Sequence, residues 1–184
     1  MARKFLTAKA DLVETINEIA KKEGRTIFSI VNEALEAFLI AYEKNTTLFN
    51  IIEELKIIET AKNAGMIFVP ENFHEYLISY ISLDRNICKS WRESGYVFGK
   101  HLEVNNIKEP KHIERAIKYV IGENSEIIFS ENKIVCICPK MGERRTEEIA
   151  EFLEGLVESY GFIVVTKEVS KGIIIIRIKK GVKY

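Results

Sequence analysis

The chain has 184 residues, 47% of them hydrophobic and 29% charged, enough for one ordinary domain or two small ones. Its 27 basic and 27 acidic residues cancel. That balance excludes a bulk-basic nucleic-acid binder and leaves only a local patch for such contact. No apolar run nears the ~20 residues of a membrane-spanning helix, and the start of the chain has no long apolar stretch of the secretory type. A cytoplasmic protein is therefore expected, and the three cysteines, Cys88, Cys136 and Cys138, suit a reducing compartment better than a disulfide scaffold.

Residues 3–10 read Arg-Lys-Phe-Leu-Thr-Ala-Lys-Ala, with three positive charges and no acid. Asp11 is a good helix N-cap, and Leu12, Ile16, Ile19 and Ala20 then mark one face of an amphipathic helix. Lys21, Lys22 and Gly24 are a stop signal: cations at the negative end of the dipole, then a residue that tolerates left-handed geometry. Thr26 caps a second helix in which Ile27, Ile30, Val31, Ala34, Leu35, Phe38, Leu39 and Tyr42 cover more than half the circumference. A segment this short cannot enclose so much apolar surface alone, so it needs a partner.

A short basic strand, a helix closed by Glu23-Gly24-Arg25-Thr26 and a very apolar second helix together resemble the ribbon-helix-helix family, which includes the Arc and methionine repressors. The resemblance implies a homodimer in which two strands pair and the ribbon enters the major groove of double-stranded DNA. It also implies that backbone N–H groups at Thr26, Ile27 and Phe28 clamp a phosphate. Counting back from Gly24 places Arg3, Phe5 and Thr7 outward and Lys4, Leu6 and Ala8 inward. A slip of one residue exposes Lys4, Leu6 and Ala8 instead, so Lys4 stays among the DNA-contact candidates. The family prefers polar residues at all three outward positions, and Phe5 departs from that pattern. Lys9 and Arg25 are better placed for phosphates than for bases.

Leu48, Ile51, Ile52, Leu55 and Ile58 continue a helical stripe that ends near Gly65, and Met66-Ile67-Phe68-Val69 is a short extended piece. Pro70 opens another helix with Phe73, Tyr76, Leu77 and Tyr80 inward and His74 on the surface. A long helix follows, marked by Leu83, Ile87, Trp91, Phe98 and Leu102. Gly95 and Gly99 lie four apart on one face, the spacing of a close helix crossing. Val104-Asn105-Asn106 ends this helix, and Pro110 starts the next, with Ile113, Ala116, Ile117 and Val120 inward.

Glu126–Phe129 and Ile134–Cys138 form a hairpin around Ser130-Glu131-Asn132-Lys133. Thr146 starts a helix through Ile149, Phe152, Leu153, Leu156 and Val157, with Glu143-Arg144-Arg145 ahead of it expected as a solvated turn, the alternative being an anion-binding cluster. Strands over 162–166 and 173–178 follow, and the last, apolar on both faces, is expected to be central or covered. This half resembles the 4-vinyl-reductase-type domain family, related to vesicle-tethering subunits and haem-based gas sensors. The residues concerned are Gly95-Tyr96-Val97-Phe98-Gly99-Lys100-His101-Leu102, Phe152-Leu153-Glu154-Gly155-Leu156 and the Gly172 turn. The resemblance implies a domain that senses a small molecule or dimerises, although the cysteines expected near the family's end are absent.

The expected architecture is therefore α+β: a dimeric ribbon-helix-helix over 1–46, a helical connector over 47–82 and an α+β domain with an antiparallel sheet over 83–184. Cys136 and Cys138 are expected on an apolar sheet face, because no metal-ligand spacing accompanies them. No phosphate-binding loop, dinucleotide fingerprint or nucleophile elbow is present, so no enzyme, cofactor or metal is expected. The expected function is a homodimeric or higher-oligomeric DNA-binding transcriptional regulator. The alternatives are a dimeric scaffold that does not bind DNA and a ligand-sensing protein with a small molecule in its C-terminal domain.

Overall fold

The structure is a computed structural model that describes residues 4–81, 84–122 and 124–181. Among these, seven helices and one four-stranded antiparallel sheet make an α+β protein. The chain divides into two compact units, Met1–Glu53 and Glu54–Tyr184.

In the N-terminal unit, residues 4–9 form neither helix nor strand within the chain, and α1 (Ala10–Glu23) follows directly. Lys9, not Asp11, occupies the cap position and supplies no side-chain bond. Asp11 instead lies in the first turn, where its charge suits the positive end of the dipole. Gly24 has φ 65°, and beyond it the Arg25 N–H donates to Ala20 O at 2.9 Å, closing the helix end. Thr26 then caps α2 (Ile27–Glu43), its hydroxyl accepting from the Ser29 N–H at 3.1 Å. Asn45 repeats the left-handed closure, with Thr46 N–H donating to Ala41 O, and Thr47 accepts from the Asn50 N–H as α3 (Leu48–Asn63) begins.

The C-terminal unit takes in the rest of α3, then α4 (Glu71–Tyr80), α5 (Arg85–Val104), α6 (Pro110–Ile121), β1 (Glu126–Phe129), β2 (Lys133–Ile137), α7 (Glu143–Ser159), β3 (Phe162–Ser170) and β4 (Ile173–Lys180). The strands run in the order β1-β2-β4-β3, so β4 is central, as its two apolar faces predict. Val135 pairs with Ile175 and Val164 with Ile178, a register that buries Ile174, Ile176 and Ile178. α7 lies against β3 and β4, and α5 packs along α7. The core collects Phe98, Leu102, Phe152, Leu153, Leu156 and Ile176. Gly95 and Gly99 do mark a close crossing: a Cβ on Gly95 would stand 1.9 Å from Phe152 O, and one on Gly155 would stand 1.8 Å from Arg92 O.

Several local expectations are corrected. α7 begins at Glu143 rather than Thr146, because the Thr146 hydroxyl donates to Gly142 O and accepts from the Gly172 N–H instead of capping. Arg144 and Arg145 are therefore in the first helical turn, not in a solvated turn. α4 forms after Pro70, but Phe73, Tyr76, Leu77 and Tyr80 are exposed, while His74 and Ile78 are half-buried. α5 is capped by Asp84, whose carboxylate accepts from the Asn86 and Ile87 N–H groups. Cys136 is buried in the core, and Cys138 is half-buried just beyond β2.

Candidate functional site

The residues singled out for DNA contact belong to the N-terminal unit. Arg3 lies outside the described residues. Lys4, Phe5, Thr7 and Lys9 are all exposed in the segment ahead of α1, and Phe5 is fully exposed. Leu6 and Ala8 are exposed as well, so neither set of alternating side chains is covered within one chain.

At the other end of α1, the Gly24 closure brings Arg25 and Thr26 to the start of α2. The first N–H groups of a helix lack an intrahelical acceptor and carry the positive end of its dipole. Here Thr26 Oγ1 takes up the Ser29 amide, and the first turn of α2 holds no acid. Ile27 and Phe28 are exposed on that turn. Arg25 is engaged locally: its guanidinium donates to Glu33 and, at 3.1 Å, to the Ser29 hydroxyl, with Glu23 3.5 Å away. The Glu33 hydrogen bond raises the Arg25 pKa and fixes its charge. To hold a phosphate, Arg25 must exchange these carboxylates for it.

Of the described residues of this unit, only Ala20 and Ala41 are buried. Leu12, Ile19, Leu35, Phe38, Leu39 and Ile52 remain exposed, on both helices and into α3. An apolar surface this extensive is characteristic of a face that meets another protein surface.

The C-terminal unit holds a second feature, a cavity of about 780 Å³ lined by residues between Ile57 and Phe152. Beside it, the Glu148 carboxylate is only 2% exposed, 3.4 Å from both Arg144 Nε and His74 Nε2. Burial pushes its pKa above the ordinary carboxylate value, against the pull of His74 and Arg144. His74 Nδ1 is buried with no hydrogen-bond partner. Residue types and spacing do not reveal this cluster, because His74 and Glu148 lie on helices 74 positions apart. Among the described residues no group of three or more His, Cys, Asp or Glu side chains is arranged to hold a metal ion, and no helix is long and apolar enough to cross a membrane.

Comparison of the chain with protein-family models, with curated proteins and with solved structures finds no match.

Proposed function

We propose that this protein is a cytoplasmic, homodimeric or higher-order DNA-binding regulator of the ribbon-helix-helix type. In this reading the segment from Arg3 to Lys9 pairs with the same segment of a second copy and enters the major groove of double-stranded DNA, and the 83–184 domain sets assembly state or sensing. One observation carries the reading: an unpaired, acid-free basic segment leads into two helices whose apolar faces lie open. A second copy would satisfy both halves of that observation. It gives the backbone of residues 4–9 a strand partner, and it covers Leu35, Phe38 and Leu39, each worth about 1.5–3 kcal/mol when fully buried. The Gly24 closure and the Thr26 cap then direct the start of α2 to a phosphate. Lys9 from both copies would add phosphate contacts, and Phe5 and Thr7 would face the bases, Phe5 against a thymine methyl.

The test combines solution mass with duplex binding. Light scattering should give at least twice the chain mass, and gel-shift titration on genomic fragments should show binding that weakens steeply with salt. A Lys9→Ala variant should lower the log–log salt slope by up to about 1.8, for two phosphate contacts over two copies at roughly 0.9 each. Absence of duplex binding even at low salt would defeat the proposal.

One observation favours a scaffold that has lost its DNA face: Phe5 stands fully exposed where a base-reading ribbon carries a polar side chain. That reading predicts the same dimer with no duplex affinity.

A further inference from the structure

We infer that the C-terminal unit carries a binding site for a small amphiphile with an apolar body and one acidic head group. The site is the cavity lined on one side by Met66, Ile67, Phe68, Val69, Glu71 and His74, and the inference stands independently of the DNA-binding reading. Its volume of about 780 Å³ falls within the ~300–1,000 Å³ range of small-molecule sites. Residues from α3 to α7 wall it, and its lining is mostly apolar, including Ile57, Met66, Phe68, Trp91, Ile149 and Phe152. Phe68 lines the cavity yet stays largely exposed, as does Ile67 beside it, so their apolar surface is uncovered. An apolar ligand body would cover it.

The head group is specified by charge. Two permanent cations, Lys140 and Arg145, line the cavity against one carboxylate, Glu71. Arg145 is mostly buried, its side chain 21% exposed, and it donates to Ile121 O at 3.4 Å and to Glu71 Oε1 at 2.6 Å. Glu71 is 72% exposed. A sheltered guanidinium is thus held by a carboxylate that stands mainly in solvent. An incoming carboxylate can replace Glu71 there without leaving either charge unpaired, since Glu71 returns to water. Arg145 is suited to this exchange because its planar fork matches any carboxylate. Lys140 forms no ion pair among the described residues and leaves the site with a net positive charge, so an acid is preferred over a neutral or basic head.

Access follows from how the covering segment is attached. α4 buries no residue fully. Polar contacts tie it to the first turns of α7: Glu71 to Arg145, His74 to Glu148, and Ile81 O to Arg144. A segment held this way opens locally at lower free energy than the packed core beneath it.

Trp91 is the single tryptophan of the chain and lines the cavity, so its fluorescence reports occupancy directly. The full chain is titrated with decanoate and, in parallel, with decan-1-ol, both below their aggregation limits. Decanoate should shift Trp91 emission saturably and bind at least tenfold more tightly than the alcohol. Lys140→Met, at an exposed position, should weaken decanoate several-fold and leave decanol unchanged, with the thermal midpoint held as a check on folding. Glu71→Gln should tighten decanoate several-fold by removing its competitor. The inference is overturned by no saturable response, by equal affinity for acid and alcohol, or by a Glu71→Gln variant that binds decanoate no better than the parent.

Discussion

Replacing Gly155 by Ala probes the contact on which the C-terminal unit is built. The new Cβ would stand 1.8 Å from Arg92 O, 2.8 Å from Arg92 C and 2.9 Å from the Tyr96 N. These are backbone atoms, so no side chain can rotate away, and α5 and α7 must part by roughly 1.5 Å to regain ordinary contact. A gap of that order forfeits a quarter to a half or more of the dispersion energy along the seam, where Phe98, Phe152 and Leu156 are fully buried. Overpacking of this kind costs about 1–3 kcal/mol and occasionally more, while Ala returns about 1 kcal/mol of helix propensity. With three tight backbone contacts the penalty belongs at the upper end, leaving a net loss of about 2 kcal/mol, or roughly 6–10 °C in thermal midpoint for a unit of this size. Thermal unfolding followed by far-UV circular dichroism measures it, with Ser90→Ala on the exposed side of α5 as a control expected within about 0.5 kcal/mol. A Gly155→Ala protein as stable as its parent would refute the close crossing.

Three further outcomes are expected. Gly99→Ala meets the Ser159 hydroxyl at 1.9 Å, a side chain rather than backbone, so Ser159→Gly should recover part of its loss in the double variant. The fold holds the Glu148 proton more tightly than the unfolded chain does. Its stabilising contribution is therefore complete below about pH 4.5 and is lost as pH rises through the raised folded value, and Glu148→Gln should remove that component from the pH profile of the thermal midpoint. Burial, with the neighbouring Cys138 as a lesser cause, pushes the Cys136 thiol up to about 12, so an alkylating reagent at neutral pH should modify Cys138 well before Cys136 in the folded protein.

Helices and turns were readable from the sequence where the signal is local. Gly24 and Gly65 stop helices because the chain turns left-handed there, and the hairpin at Ser130–Lys133 follows from strand periodicity on either side of polar residues. The central place of β4 was readable too, since its run of isoleucines is apolar on both faces, and β2 and β3 pair with its two edges. Where a distant group decides the outcome, the sequence misleads. The apolar stripe of α4 predicts Phe73 and Tyr76 inward, yet Glu148 and Arg145 on α7 draw His74 and Glu71 to that side. Thr146 has the look of a cap, but its hydroxyl is taken by the Gly172 turn. Residues 4–9 form no strand within the chain, so the ribbon expected there is not shown. The cavity is not legible in the sequence: Lys140 and Arg145 flank Gly142, whereas Glu71 is contributed from a different helix, so no spacing announces them as a set.

The central claim is that two copies read duplex DNA through the N-terminal segment, and selection from a random duplex library tests it most directly. The account predicts enrichment of a two-fold symmetric site, bound by an even number of chains, with affinity that falls steeply as salt rises. A library that emerges unenriched, from protein confirmed to be dimeric and folded, would contradict it.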